Sequence, residues 1–269
     1  MSALTQDRRS SIAVAVATLS WAAFALIYLL DLTGDQGRPW LTNVSTFVAA
    51  WIGVYLAYRL WRSYAPAETG RRVWLAMFIG LLLWAVGEGL WLYFDLRQGS
   101  DVPYPSLADL AWTVGYFPLA IGLWLRYSSL GVRPGLGQWL ALALICMVGV
   151  VAVRYVLWPI LTYPGYDRPI EQILNVSYPV GDLVLLVGAV LVAGAVWGGR
   201  LSIPWLMISL GVAVLSLSDL FFSYTTWNEI YIPDGPVNAP TALVDLPYLA
   251  GDLAIALGAY LQARLEGSL

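Results

Sequence analysis

Histidine and lysine are absent from this 269-residue sequence, and cysteine occurs once. Without histidine it lacks the usual general base, the commonest metal ligand and the usual haem ligand. Without lysine all 14 basic residues are arginine, so neither a retinal nor a pyridoxal Schiff base can form. Cys146 stands alone in an apolar run, which excludes an intramolecular disulfide and a thiolate metal cluster. Charge is scarce as well. Only 12% of residues are charged and 59% are hydrophobic, where a soluble domain carries roughly 25% charged residues. No basic block suggests nucleic acid. What remains for chemistry is carboxylate, arginine, tyrosine, tryptophan, serine and backbone.

What is present is apolar sequence in long runs. A bilayer core needs about 20 apolar residues per helix. Hydropathy places spans near 11–30, 43–62, 73–94, 108–127, 138–160, 174–196, 203–225 and 243–263. The expected fold is an all-α integral membrane protein of about eight transmembrane helices. The run after Arg8 and Arg9 is too long for a signal-peptide core, so it counts as a span.

Arginine sets the expected orientation. Arg8, Arg9, Arg59, Arg62, Arg71, Arg72, Arg126, Arg133, Arg200 and Arg264 fall on one side. Arg38, Arg97 and Arg168 fall on the other, among Asp31, Asp35, Asp95, Asp101, Asp167, Glu171, Glu229 and Asp234. The positive-inside rule then puts both termini in the cytoplasm, with a bacterial inner membrane as the expected location.

The even spans open on related octapeptides: Asn43 to Ala50, Asp109 to Tyr116, Asn175 to Asp182 and Asp245 to Asp252. This suggests four parallel copies of a helical hairpin, with a period near 66 residues and repeats at about 11–62, 73–127, 138–196 and 203–263. Asn43, Asp109, Asn175 and Asp245 are expected to be N-caps, with Ser106 and Thr241 as further candidates. Gly115, Gly181 and Gly251 are expected at close helix contacts. Shared packing after duplication explains these features without any function.

Ionisable residues recur within the spans. Asp182 and Asp252 lie at the eighth position of their octapeptides, about 10 Å below the outer surface at 1.5 Å per residue. Glu88, Arg154 and Asp219 lie at comparable depth on odd spans. Such charges cost about 2.5–3.5 kcal/mol each on insertion scales and face a bundle interior or a wet cavity. Arg154 is expected to neutralise one or two carboxylates, Asp182 and Glu88 first. Three readings fit: a polar network that pins helix register, a site for a ligand, cation or proton, and catalytic carboxylates. No nucleophile motif supports the third. Tyr93, Tyr116, Tyr178 and Tyr248, with Trp91, Trp112 and Tyr224, share the outer third of the spans. They serve either as interface anchors or as an aromatic box for an organic cation or a flat apolar molecule. The loop at 226–242 fits either a lid or a stiff spacer.

Gly87-Glu88-Gly-Leu-Trp-Leu-Tyr93, Val102-Pro-Tyr-Pro-Ser-Leu-Ala-Asp109, Tyr178-Pro-Val-Gly-Asp182 and Asp245-Leu-Pro-Tyr248 together resemble a known arrangement. It is the multi-span N-terminal region found ahead of GGDEF and EAL domains and of some histidine kinases in bacteria. The resemblance covers roughly residues 75–262. It implies a sensory input module, with no output domain expected within these 269 residues. The leading expectation is a non-enzymatic sensor or ligand-binding module. Its outward-facing cavity would be lined by Glu88, Arg154, Asp182, Asp219, Asp252, Tyr93, Tyr116, Tyr178 and Tyr248. Its partners would be the lipid bilayer and a separate membrane or cytoplasmic protein. An accessory subunit of a larger membrane complex is the second expectation. A transporter or lipid hydrolase using intramembrane carboxylates is the third.

Overall fold

The structure, a computed structural model, describes residues 8–98, 103–199 and 201–269. Asp101, Val102 and Arg200, used above, lie outside the described residues. Among the described residues there is no strand. The helices are α1 (Arg8–Leu29), α2 (Gly34–Ser63), α3 (Thr69–Gln98), α4 (Leu107–Leu130), α5 (Leu136–Ala152), α6 (Trp158–Thr162), α7 (Pro169–Val196), α8 (Ser202–Trp227) and α9 (Ala239–Leu265). A π-helical turn, Val153–Leu157, joins α5 to α6 without breaking the rod. Pro159 explains that turn. Its ring clashes with the carbonyl four residues back, and a widened turn makes room for it. Counting α5 through α6 as one span, eight helices among the described residues are long and apolar enough to cross a membrane. The chain is an all-α integral membrane protein.

Several helices begin earlier than hydropathy suggests, because their first turns are too polar for an apolar window yet still satisfy their own backbone. Pro169 opens α7 and Pro240 lies in the first turn of α9, positions where a missing N–H costs nothing. The N-cap residues are Thr33, Ser106, Arg168 and Asn238. The expectation that Asn43, Asn175 and Asp245 cap their helices is therefore corrected: all three lie inside helices. Asp109 is the third residue of α4, where it completes a capping box with the N-cap Ser106. Thr241 is not an N-cap either; its N–H donates to the Asn238 side chain.

The helices alternate in direction, giving one end rich in arginine and one rich in acid. Their contacts close a ring in the order α2, α3, α4, α7, α8, α9 and back to α2. Outside this ring α1 rests mainly on α9, and α5 rests on α7. Glycine sets the closeness of the ring contacts. A Cβ on Gly211 of α8 would lie 2.5 Å from the Gly251 carbonyl oxygen of α9, and one on Gly258 would lie 2.5 Å from that of Pro204. Gly115 faces Trp84, and Gly181 faces the Tyr116 ring. Gly115, Gly181 and Gly251 thus sit at close approaches between helices, where a side chain would hold the backbones apart.

The ring interior is apolar towards the arginine end. Trp74 of α3 and Trp205 of α8, both fully buried, meet there with ring centroids 5.5 Å apart. Leu60, Met77, Leu119, Leu123, Leu185 and Ile208 pack with them in one buried cluster. The Arg126 guanidinium lies 4.9 Å from the Trp205 ring. Beyond it, the Tyr64 hydroxyl donates to Glu266 and accepts from the Gln262 amide at 2.9 Å. Burial, then the Glu266 contact, pushes the Tyr64 pKa up. The outward faces carry exposed apolar side chains such as Leu19, Phe117, Leu144 and Val150, as contact with lipid tails requires.

Candidate functional site

Each of the six ring helices sends a polar or aromatic side chain into one layer on the acid side of the tryptophan pair. Asp182 of α7 has no solvent exposure; its Oδ1 accepts from the Tyr116 hydroxyl of α4 at 2.8 Å, and its Oδ2 is buried without a partner among the described residues. Asp252 of α9 is 9% exposed, and its Oδ2 is likewise buried and unpartnered. Asp219 of α8 and Glu88 of α3 are partly buried. Glu88 accepts a long hydrogen bond, 3.4 Å, from the Thr46 hydroxyl of α2. The Trp112 indole N–H of α4 lies beside Glu88 but has no hydrogen-bond partner. Tyr248 of α9 stands within electrostatic range of all four carboxylates. Tyr116 packs edge-on to Trp84, with centroids 5.4 Å apart, and Trp91 packs against Trp112 at 5.8 Å.

The order of the ring places Asp182, Asp219 and Asp252 on three consecutive helices, forming one wall. Glu88 sits on α3, opposite α8, and Asp219 feels it across the ring. Glu88 follows Trp74 by 14 residues and Asp219 follows Trp205 by 14. At 1.5 Å per residue the acids therefore stand about 21 Å from the tryptophan pair, towards the acidic end.

No cation balances these acids among the described residues. Arg154 lies on the exposed outer side of the π turn, its guanidinium 5.4 Å from the Tyr155 ring, so it does not join Asp182 or Glu88. Arg38 is buried at the acidic end, where it bridges to Asp31 at 3.4 Å and Asp35 at 3.3 Å and donates to the Gly235 carbonyl. Nor do three carboxylates come close enough together to hold a metal ion, among the described residues.

The remaining sequence candidates do structural work at the acidic end. Both oxygens of Asp245 are taken, by the Tyr28 hydroxyl at 2.8 Å and the Tyr231 hydroxyl at 2.9 Å. Burial, then the Asp245 charge, pushes the Tyr231 pKa well up. Asp109 accepts from Tyr178 of α7 at 2.7 Å, and Asn175 accepts from Tyr104 at 2.5 Å. Asn43 donates to Asp95 of α3 at 3.0 Å. All four repeated Asn/Asp positions thus tie their helix to another segment. Tyr93 is exposed beneath Arg97, outside the layer. The loop at 226–242 is tied down over this end: Tyr231 reaches Asp245, and the Ile232 N–H donates to Thr241 at 2.9 Å.

Thr46, Trp84 and the pair Trp74 and Trp205 were not singled out from sequence. The shared 14-residue step from tryptophan to acid on α3 and α8 was the available signal for the pair. Thr46 occupies the fourth position of its octapeptide, as Trp112, Tyr178 and Tyr248 do in theirs. Two open pockets lie elsewhere: a polar one of about 440 Å³ beside Tyr64 and Glu266, and an apolar one of about 560 Å³ beside Trp51 and Tyr260. Neither includes a residue of the carboxylate layer. Comparison with family models, with curated proteins and with solved structures finds no match.

Proposed function

We propose that this chain is a non-enzymatic ligand-binding module of the membrane, with its site in the ring interior at Glu88, Asp182, Asp219 and Asp252. In this reading both termini lie in the cytoplasm, the acidic end faces outward, and a separate protein partner receives the signal. One observation carries it: the Oδ2 atoms of Asp182 and Asp252 are buried acceptors without a donor. A buried polar atom left unpaired costs about 1–3 kcal/mol, and more when it is charged. A network that served only to pin helix register would satisfy its own acceptors, as Asp245 does with two tyrosines. Glu88 and Asp219 are less completely buried than Asp182 and Asp252. The resemblance to sensory input modules supports the same reading.

The test is gentle purification in mild detergent followed by mass spectrometry of whatever stays bound. A retained small molecule, lost on Asp182→Ala in a protein that still elutes as a single species, is the expected result. Stoichiometric protein partners with no retained molecule, in the wild type and at every detergent tried, would instead make the chain an accessory subunit.

A further inference from the structure

We propose that the occupant of the interior layer is an extended organic cation with an ammonium group at each end, of the diamine class. This rests on the ligand-site reading above and adds the chemistry of the ligand. Three observations narrow that chemistry. The first is charge: four carboxylates line the layer, and among the described residues no arginine shares it. An occupant with N–H donors and positive charge answers both the unpaired acceptors and the excess of acid, whereas a neutral donor answers only the first.

The second is placement. Asp182 and Asp252, each at least nine-tenths buried with an unpartnered Oδ2, flank Asp219 on one wall, and Glu88 stands on the facing helix. A compact ion at one wall leaves the other unsatisfied, and no three of these groups come together as ligands for a metal, among the described residues. A chain with a charge at each end reaches both walls.

The third is the lining between the acids. Trp112, Tyr116 and Tyr248 lie around the layer, with Trp84 and Trp91 packed behind them. Aromatic faces suit both the methylene chain and the ammonium groups of such a molecule, the latter through cation–π attraction. An inorganic ion would gain much less from that lining.

The inference is tested by titrating the detergent-purified full chain with 1,4-diaminobutane, butylamine and 1,4-butanediol, with calorimetry as readout. The diamine is expected to bind at least tenfold more tightly than butylamine, and the diol not to bind detectably. Asp252→Asn and Asp219→Asn are each expected to weaken diamine binding tenfold or more. Asp219 is only partly buried and makes no side-chain hydrogen bond among the described residues, so its variant keeps the test alive if a change at a fully buried acid prevents folding. Equal binding of diol and diamine, or diamine binding unmoved by both variants, overturns the inference. If the diamine does not bind while a neutral molecule is retained on purification and lost on Asp182→Ala, the ammonium assignment falls and the ligand site stands. If nothing is retained and nothing binds, both fall.

Discussion

Asp182 has no solvent exposure, and among the described residues a single side-chain hydrogen bond, from Tyr116, supports it. Removing that hydroxyl leaves both oxygens of a buried carboxyl without a donor. Tyr116→Phe is therefore expected to destabilise the protein by about 1–3 kcal/mol, the usual cost of an orphaned buried group. Thermal unfolding in detergent would show it as a lower midpoint. Tyr93→Phe, which alters an exposed hydroxyl outside the layer, is the matched control and should leave the midpoint unchanged. Equal midpoints for Tyr116→Phe and wild type would mean that Asp182 does not depend on this donor. At this scale the sequence showed which acids lie within the membrane, because charge in an apolar run stands out in composition alone. It did not show which of them are satisfied. Asp245 and Asp182 are both aspartates of the repeated octapeptides, yet Tyr28 and Tyr231 serve the first and Tyr116 alone serves the second among the described residues.

Helix contacts turn on backbone distance, and glycine fixes it. A methyl group added to Gly211 would lie 2.5 Å from the Gly251 carbonyl oxygen, a backbone atom that can move only if α8 and α9 separate. Gly211→Ala is accordingly expected to cost about 1–3 kcal/mol by overpacking. Gly53 of α2 offers the contrast, since an added Cβ meets nothing within 4 Å there. Gly53→Ala should be neutral or stabilising by up to about 1 kcal/mol, the helix-propensity gain of alanine over glycine. The unfolding midpoint of Gly211→Ala should fall while that of Gly53→Ala holds or rises; a comparable fall in both would contradict the packing seen here. Hydropathy located these helices because a bilayer demands one apolar run per span. It misplaced their starts, since a polar first turn lies outside the apolar core yet remains helical. Asn43, Asn175 and Asp245 were read as caps for that reason.

Viewed whole, the molecule is a ring plugged at one end. Trp74 and Trp205 close the arginine end, and Glu88 and Asp219 stand partly buried on the other side of them. Reagents should therefore reach the layer from the acidic end alone. Cys146, exposed on α5, has to be replaced first. In that background Asp219→Cys is expected to react with a membrane-impermeant thiol reagent added on the acidic side of sealed vesicles, and not when added on the arginine side. Trp74→Ala should admit the reagent from the arginine side as well. Labelling of the parent from either side with equal ease would show that the tryptophan pair is not a barrier. The ring also relates α3 to α8: Trp74 and Trp205, Gly80 and Gly211, and Glu88 and Asp219 occupy matching places, their numbers differing by 131 in each pair. These two helices face each other, whereas α1 and α5 lie outside the ring.

By itself the sequence determined the solvent, the number of spans and the residue types left for chemistry. These follow from composition and run length, which need no knowledge of the fold. Tertiary structure alone decided which charges share an interior. Arg154 lies at the same depth as the acids along the chain, but the azimuth of the π turn sends it outward, away from Asp182 and Glu88. Arg38, which lies between two of the spans that hydropathy marks, is buried beside Tyr28. Depth is a one-dimensional property that a chain displays along its length. Facing is set by how neighbouring helices rotate and close on one another, and that is fixed only when the ring forms.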